Sequence, residues 1–219
     1  MTRILIHGTE LTSLICAHSL LDSIEGAEIH LVDSKAEVGL LEEGPGLIST
    51  NNLPILPNEW IGSLKSQQPK EESTAIRRSW FEKACATKLA SRGVFFHLRS
   101  KTNKINKSTI KFEGAGLLSG KSLEFDIIIN QITPPSDSIN WSGGTHSSAT
   151  TTSSISGIRP DGLVEEWWDG APPNRTDWLQ RMEWKGVDPR TSIIDDIEIG
   201  KRLARKAISQ CLSLKHLDT

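Results

Sequence analysis

The apolar positions of this chain recur with more than one period, and the order of those periods predicts its elements. Ile4, Leu5 and Ile6 form a short continuous apolar run, which predicts a strand over residues 3–7 buried on both faces, as parallel strands are. After Gly8 the positions Leu11, Leu14, Ile15, His18 and Leu21 recur at helical spacing and predict a helix over 11–23. The run AEIHLV predicts a second strand over 28–32, closed by Asp33. The chain thus opens with a strand, helix, strand unit of roughly thirty residues.

Farther along, TAIRRSWFEKACATKLASRGVFFHLRSKTNKI, residues 74–105, places Ile76, Trp80, Phe81, Ala84, Cys85 and Leu89 on one helical face. The helix stops at Gly93, and a strand continues through Val94, Phe96 and Leu98. STIKFEG and KSLEFD read as short alternating strands around GAGLLSG. FDIIINQI, residues 125–132, is an apolar strand centred on 126–130, and Pro134 and Pro135 end it. TTTSSISGI, GLVEEWWDG and DWLQRMEWKG read as further short strands joined by the turns RPDG and DGAPPNRTD. A last helix over 194–212 carries Ile197, Gly200, Leu203, Ala204, Ala207, Ile208 and Cys211 on one stripe. The predicted architecture is a parallel sheet holding 3–7, 28–32 and 126–130, with the helices 11–23 and 194–212 packed against it.

Composition narrows the class. A chain of 219 residues holds one large domain, or one domain with a small accessory layer. A formal charge of -2 with scattered Lys and Arg gives no electrostatic case for nucleic acid. No apolar stretch reaches the roughly 18 residues of a membrane span, and residues 1–20 lack a basic segment before a long apolar core. A cytoplasmic protein is expected. Cys16, Cys85 and Cys211 are far apart in apolar helical patterns and read as buried thiols. His7, His18, His30, His97, His146 and His216 show no metal-ligand spacing, and no serine or cysteine nucleophile motif is present. The one biased segment is SSATTTSS, residues 147–154.

The opening unit is where a dinucleotide's pyrophosphate rests on a helix N-terminus, with an acid after the second strand on the ribose. Three glycines usually serve that turn: one bends the chain, one lets backbone approach phosphate, and one lets helix pack on strand. Here Gly8 fills the first place, while Glu10 and Ser13 stand in the other two. Ser13 is small enough to pack, whereas Glu10 adds bulk and negative charge beside a diphosphate unless it swings to solvent or Arg78 neutralises it. Asp33 is placed for the ribose. The plain alternative is a strand, helix, strand unit without a ligand.

The order of ILIHGTELTS, HLVDSKAEVG, RRSWFEKACATKLASRGVFFHL and FEGAGLLSGKSLEFDIIINQI resembles the flavoprotein monooxygenase and geranylgeranyl reductase-like superfamily over most of residues 1–133. The fold this implies is α/β: an FAD/NAD(P)-binding, Rossmann-like parallel sheet with a small β-meander and a reduced antiparallel β layer. The resemblance implies a Rossmann-like domain over 1–135 and 186–219, and a reduced, Trp-rich layer over 136–185. It implies FAD, or else NAD(P), as cofactor. Gly8, Glu10 and Ser13 would lie at the pyrophosphate turn with Thr9 and Leu11, and Asp33 and Ser34 at the ribose. Arg78 would lie near the FAD phosphates or the isoalloxazine edge, a solvated arginine at a helix start being the alternative.

GVDPRTSIIDDIEIGKRLARKAISQCL resembles the family's closing element, with Asp188 as the acid near the ribityl chain, although Gly186 and Asp188 are not the usual adjacent pair. Asn130, Gln131 and Ile132 stand where the family has an alanine-threonine-glycine turn. Trp141, Trp167, Trp168, Trp178 and Trp184, five of the seven tryptophans, form either a stacking wall for a flat ligand or, more simply, core filling. Three readings stay open: a compact FAD-dependent oxidoreductase acting on a small molecule, a degenerate relative serving as an interaction or structural subunit, and a nicotinamide nucleotide binder. A protein partner or homo-oligomer is compatible with each.

Overall fold

The computed structural model of the chain describes residues 1–219 except 40–42, 50, 52, 63–72, 131–134, 149 and 216–219. Gln131, Ile132, Pro134 and His216, named above, therefore lie outside the described residues. The chain divides into two compact units: residues 1–38, 85–132 and 197–219 form the first, and residues 39–84 and 133–196 the second.

The first unit is built on a parallel sheet. Its strands β1 (Arg3–His7), β2 (Glu28–Val32), β3 (Phe95–His97) and β7 (Ile127–Ile129) stand in the order β3-β2-β1-β7. All three pairings are parallel, with Ile4 opposite both Ile29 and Ile127. The continuous apolar runs earn this central place, since Ile4, Leu5, Ile6, Ile29 and Leu31 are all fully or almost fully buried. Helix α1 (Leu11–Ser23) follows β1 and buries Leu11, Leu14, Ile15, Cys16, Ala17, His18 and Leu20. Strands β4 (Ser100–Lys104), β5 (Thr109–Gly114) and β6 (Ser122–Glu124) make the antiparallel meander. Ile110, Phe112 and Phe125 pack there with Leu5 and Val32 into one cluster. Strand β4, which pairs antiparallel with β5, is not legible in the sequence, because SKTNK shows no apolar alternation.

Two further helices each contribute residues to both units. In α2 (Arg78–Ser91), Phe81, Ala84, Cys85 and Leu89 are buried as the spacing predicts. Trp80 is a correction: it sits in the first turn, one position off that stripe, 40% exposed, with the Arg77 guanidinium 4.9 Å above its ring. Ile76 precedes the helix yet is buried. Gly93 follows α2 at φ +89°, the left-handed stop that glycine adopts without strain. Helix α3 (Ser192–Lys215) is longer than the predicted 194–212. Its Gly200 lies against α1, where an added Cβ would stand 2.5 Å from the Thr12 carbonyl oxygen and 2.8 Å from Ile15 Cβ.

The second unit carries the antiparallel sheet β11-β8-β10-β9, formed by β8 (Ile139–His146), β9 (Ser156–Ile158), β10 (Val164–Asp169) and β11 (Gln180–Gly186). Its longest strand, β8, was hidden in INWSGGTH, because two glycines interrupt any alternation. Those glycines make room for tryptophans. A Cβ on Gly143 would stand 2.6 Å from the Trp167 ring, and one on Gly144 would stand 2.5 Å from the Trp178 ring on the opposite face. Trp141, Trp167 and Met182 pack with Leu47 and Ala75, and Trp184 meets Trp167 edge-on at 6.4 Å. All three cysteines are buried free thiols, and no helix among the described residues is long and apolar enough to cross a membrane.

His18 makes the first unit sensitive to acid. Its Nε2 lies 3.2 Å from the Cys85 carbonyl and its Nδ1 lies 3.0 Å from Arg92 Nη1, so the neutral ring donates to the former and accepts from the latter. Burial pushes the ring from 6.5 to about 4, with the Arg92 charge adding to it. The unfolded chain thus takes up the proton first, and stability is full above pH 6.5 and falls as pH drops toward 4. We expect urea titrations to lose about 2 kcal/mol between pH 7 and pH 5 from this residue. The His18→Leu variant should lose correspondingly less over the same interval.

Candidate functional site

Gly8 ends β1 and turns the chain at φ +95°, a conformation that favours glycine, while its N–H donates to the Val32 carbonyl at 2.8 Å. Thr9 is buried, and both its N–H (3.1 Å) and its hydroxyl (2.6 Å) donate to Asp33 Oδ2. Asp33 Oδ1 accepts from the Lys35 N–H at 3.0 Å. The acid placed for a ribose is therefore holding the turn itself. We expect Asp33→Ala to cost about 2–3 kcal/mol of stability in the first unit, because hydrogen bonds to a charged group contribute about 1.5–3 kcal/mol each and solvent recovers part of that. Thermal unfolding followed by histidine NMR signals would measure it.

Glu10 stands at the N-cap of α1 in extended conformation, φ -68° and ψ 164°, with no side-chain capping bond. Its carbonyl accepts from the Leu14 N–H at 3.1 Å. Its carboxylate folds back over Gly8: a Cβ on that glycine would collide with Glu10 Oε2. The other carboxylate oxygen lies 3.3 Å from Lys35 Nζ. The Glu10 side chain, about a third exposed, thus pairs with Lys35, a cation two residues past Asp33. Ser13 packs as a third glycine would, its hydroxyl donating to the His7 carbonyl at 3.2 Å. Leu11 is fully buried, and Ser34 is exposed.

The structure brings Gly8, Thr9, Glu10, Leu11, Ser13, Asp33 and Ser34 together in the first unit. Arg78 lies in the second, where its Nε meets Glu82 Oε1 at 3.1 Å and its Nη2 meets Asp196. Burial would lower the guanidinium pKa, but these two carboxylates outweigh it and raise it above the ordinary arginine range. Arg78 Nη1 is buried without a hydrogen-bond partner and points toward Gly44, where a Cβ would stand 3.3 Å away. Asp188, also in the second unit, is held by Arg190 through Nη2 at 2.7 Å and the backbone N–H at 2.9 Å, and this pairing holds its carboxyl below the usual range.

Two buried carboxylates on β10 escaped the sequence reading, although adjacent acids inside an apolar strand, VEEWWD, were their signal. Glu165 faces the Trp167 side, accepting from the Gly46 N–H and Trp167 Nε1, both at 2.7 Å, and from Arg159 Nε at 2.8 Å and Nη2 at 2.7 Å. Glu166 faces the other side. It accepts from the Ser153 N–H at 2.9 Å, the Thr152 N–H, and His146 Nε2 at 3.0 Å, with Arg175 Nη1 at 3.4 Å. Burial would raise its pKa, but these donors outweigh it and hold the carboxyl below its ordinary value. Thr152 and Ser153 of the Ser/Thr-rich segment thus turn their backbone N–H groups onto an internal anion.

No protein-family model matches the chain, and no curated protein sequence matches it. Solved structures do. The flavoprotein/dehydrogenase from Cytophaga hutchinsonii superposes at a TM-score of 0.63 with 12% identity, over 97% of this chain and 78% of its own. A geranylgeranyl bacteriochlorophyll reductase-like protein from Thermoplasma acidophilum gives 0.66 with 13% identity, over 97% and 80%. The halogenase PltM gives 0.62 with 9% identity, over 97% and 69%. The parallel sheet led by the strand, helix, strand unit, the meander and the antiparallel layer of this chain thus make up the α/β, Rossmann-like fold that it shares with these solved structures.

Proposed function

We propose that this chain is a flavoprotein-fold protein whose diphosphate cradle is occupied by its own side chain, so that it carries no tightly held FAD and serves as an interaction or structural subunit. The observation that carries this reading is the Glu10 carboxylate folded over Gly8 and tied to Lys35. A dinucleotide cradle needs bare backbone at that point, with helix N–H groups open to phosphate. Here an anion already lies there, and the residue that would hold the ribose is spent on Thr9. In this arrangement the residues of the first unit do not fit a diphosphate.

A second reading, an FAD-dependent oxidoreductase acting on a small molecule, is favoured by Arg78, whose buried Nη1 is an unmet cationic donor. FAD would supply the hydride chemistry, and the protein would supply binding and orientation. Purification without added cofactor separates the two. A colourless protein that takes up FAD only weakly supports the first reading, whereas a yellow protein with stoichiometric flavin supports the second. NADH, titrated alongside FAD, tests the nicotinamide alternative.

A further inference from the structure

At the outer edge of the parallel sheet two histidines bond to one another. His30 Nδ1 lies 2.9 Å from His97 Nε2, and the rings stack at 5.1 Å. Phe95 stacks on His30 at 4.8 Å, Phe125 meets it edge-on at 5.3 Å, and Phe112 meets His97 edge-on at 5.2 Å. His30 Nε2 lies 2.9 Å from Glu28 Oε1, which also pairs with Arg3. Those two residues are the charged groups bearing on His30, and His30 is what bears on His97.

The partners dictate where the protons sit. Glu28 only accepts, so His30 donates from Nε2, its Nδ1 is the acceptor, and His97 Nε2 carries the hydrogen between the rings. A proton added to His30 Nδ1 would face that hydrogen directly. A proton added to His97 would place a charge among phenylalanines. The neutral pair is thus the form this packing accepts.

The chain at His97 and just after it is also bonded to Asp33 and Lys35. The Asp33 N–H donates to the His97 carbonyl at 3.1 Å, the Ser100 N–H to the Asp33 carbonyl at 2.9 Å, and the Arg99 N–H to the Lys35 carbonyl at 2.9 Å. We propose that the His30–His97 pair is a proton-operated clasp, which fastens β3 to β2 at neutral pH and on acidification releases the edge that anchors Asp33. When the edge opens, each ring regains a solution pKa near 6.5 and takes up a proton. While it is closed, burial holds both rings lower, His97 at about 4. Opening therefore takes up two protons, and its equilibrium constant rises by up to about tenfold per histidine for each pH unit below 6.5.

Amide hydrogen exchange by NMR over pH 5–7.5, corrected for intrinsic rates, tests this on the full chain. Expected is a rise in the opening constant for Phe95–His97 and Asp33 on acidification, approaching two protons, with a steeper rise for Ile4–Ile6 of β1, whose opening also releases the buried His18 and His7. In the His97→Gln variant, whose amide still donates to His30, the slope at β3 should drop to about one proton. Equal slopes at β1 and β3 in the wild type would mean global unfolding and overturn the clasp, as would a slope unchanged in the variant. Should the variant fail to fold, the imidazole nitrogen spectrum of the wild type decides. Nε2–H forms of both rings at pH 7.5 support the clasp, and an Nδ1–H form of His97 overturns it.

Discussion

The Glu10→Gly variant should bind FAD roughly ten- to a hundredfold more tightly than the wild type in a fluorescence titration. Two unit charges about 4 Å apart at an effective dielectric near 20 interact by roughly 4 kcal/mol, enough to cancel much of a helix N-terminus's attraction for phosphate. Lys35 offsets part of that repulsion. Both side chains of this pair are about a third exposed, so the pair itself contributes little. The substitution restores the second glycine, clears the space over Gly8 and frees Lys35 for phosphate. Unchanged affinity would show that Glu10 leaves the cradle when a dinucleotide arrives. Tight binding already present in the wild type would refute the proposed function outright.

A second large effect is expected at Glu165. The Glu165→Ala variant should lose about 3–5 kcal/mol of stability, because it strands the buried Arg159 guanidinium together with the Gly46 and Trp167 donors. Glu165→Gln, which keeps one accepting oxygen, should fall between. Urea unfolding followed by tryptophan fluorescence suits the test, since all seven tryptophans belong to the second unit. A loss under about 1 kcal/mol would mean that Glu43, 3.6 Å from Arg159 Nη2, takes over the charge.

The parallel sheet was legible because strands buried on both faces must be apolar throughout, and Ile4–Ile6 and Ile127–Ile129 are. Strands β4 and β8 were not, since one is polar and the other replaces side chains with glycine to admit rings from distant positions. At the cradle, the residues at the turn could be read from spacing alone. What each carboxylate does could not be, because Asp33 and Glu10 take partners, Thr9 and Lys35, that are fixed only when β1 and β2 lie side by side. Arg78 was equally opaque, its acids Glu82 and Asp196 standing one turn and 118 residues away along the chain.

Strand β8 leaves a distinct mark on what evolution or a mutational library can do to this protein. A half-buried strand tolerates replacement at every second position, because only one face is filled. At Gly143 and Gly144 the intolerance falls on neighbours, since each admits a tryptophan on its own side. A deep mutational scan should therefore find two consecutive positions that accept nothing larger than hydrogen. Drift in Trp167 or Trp178 toward smaller rings should be the change that first reopens either one.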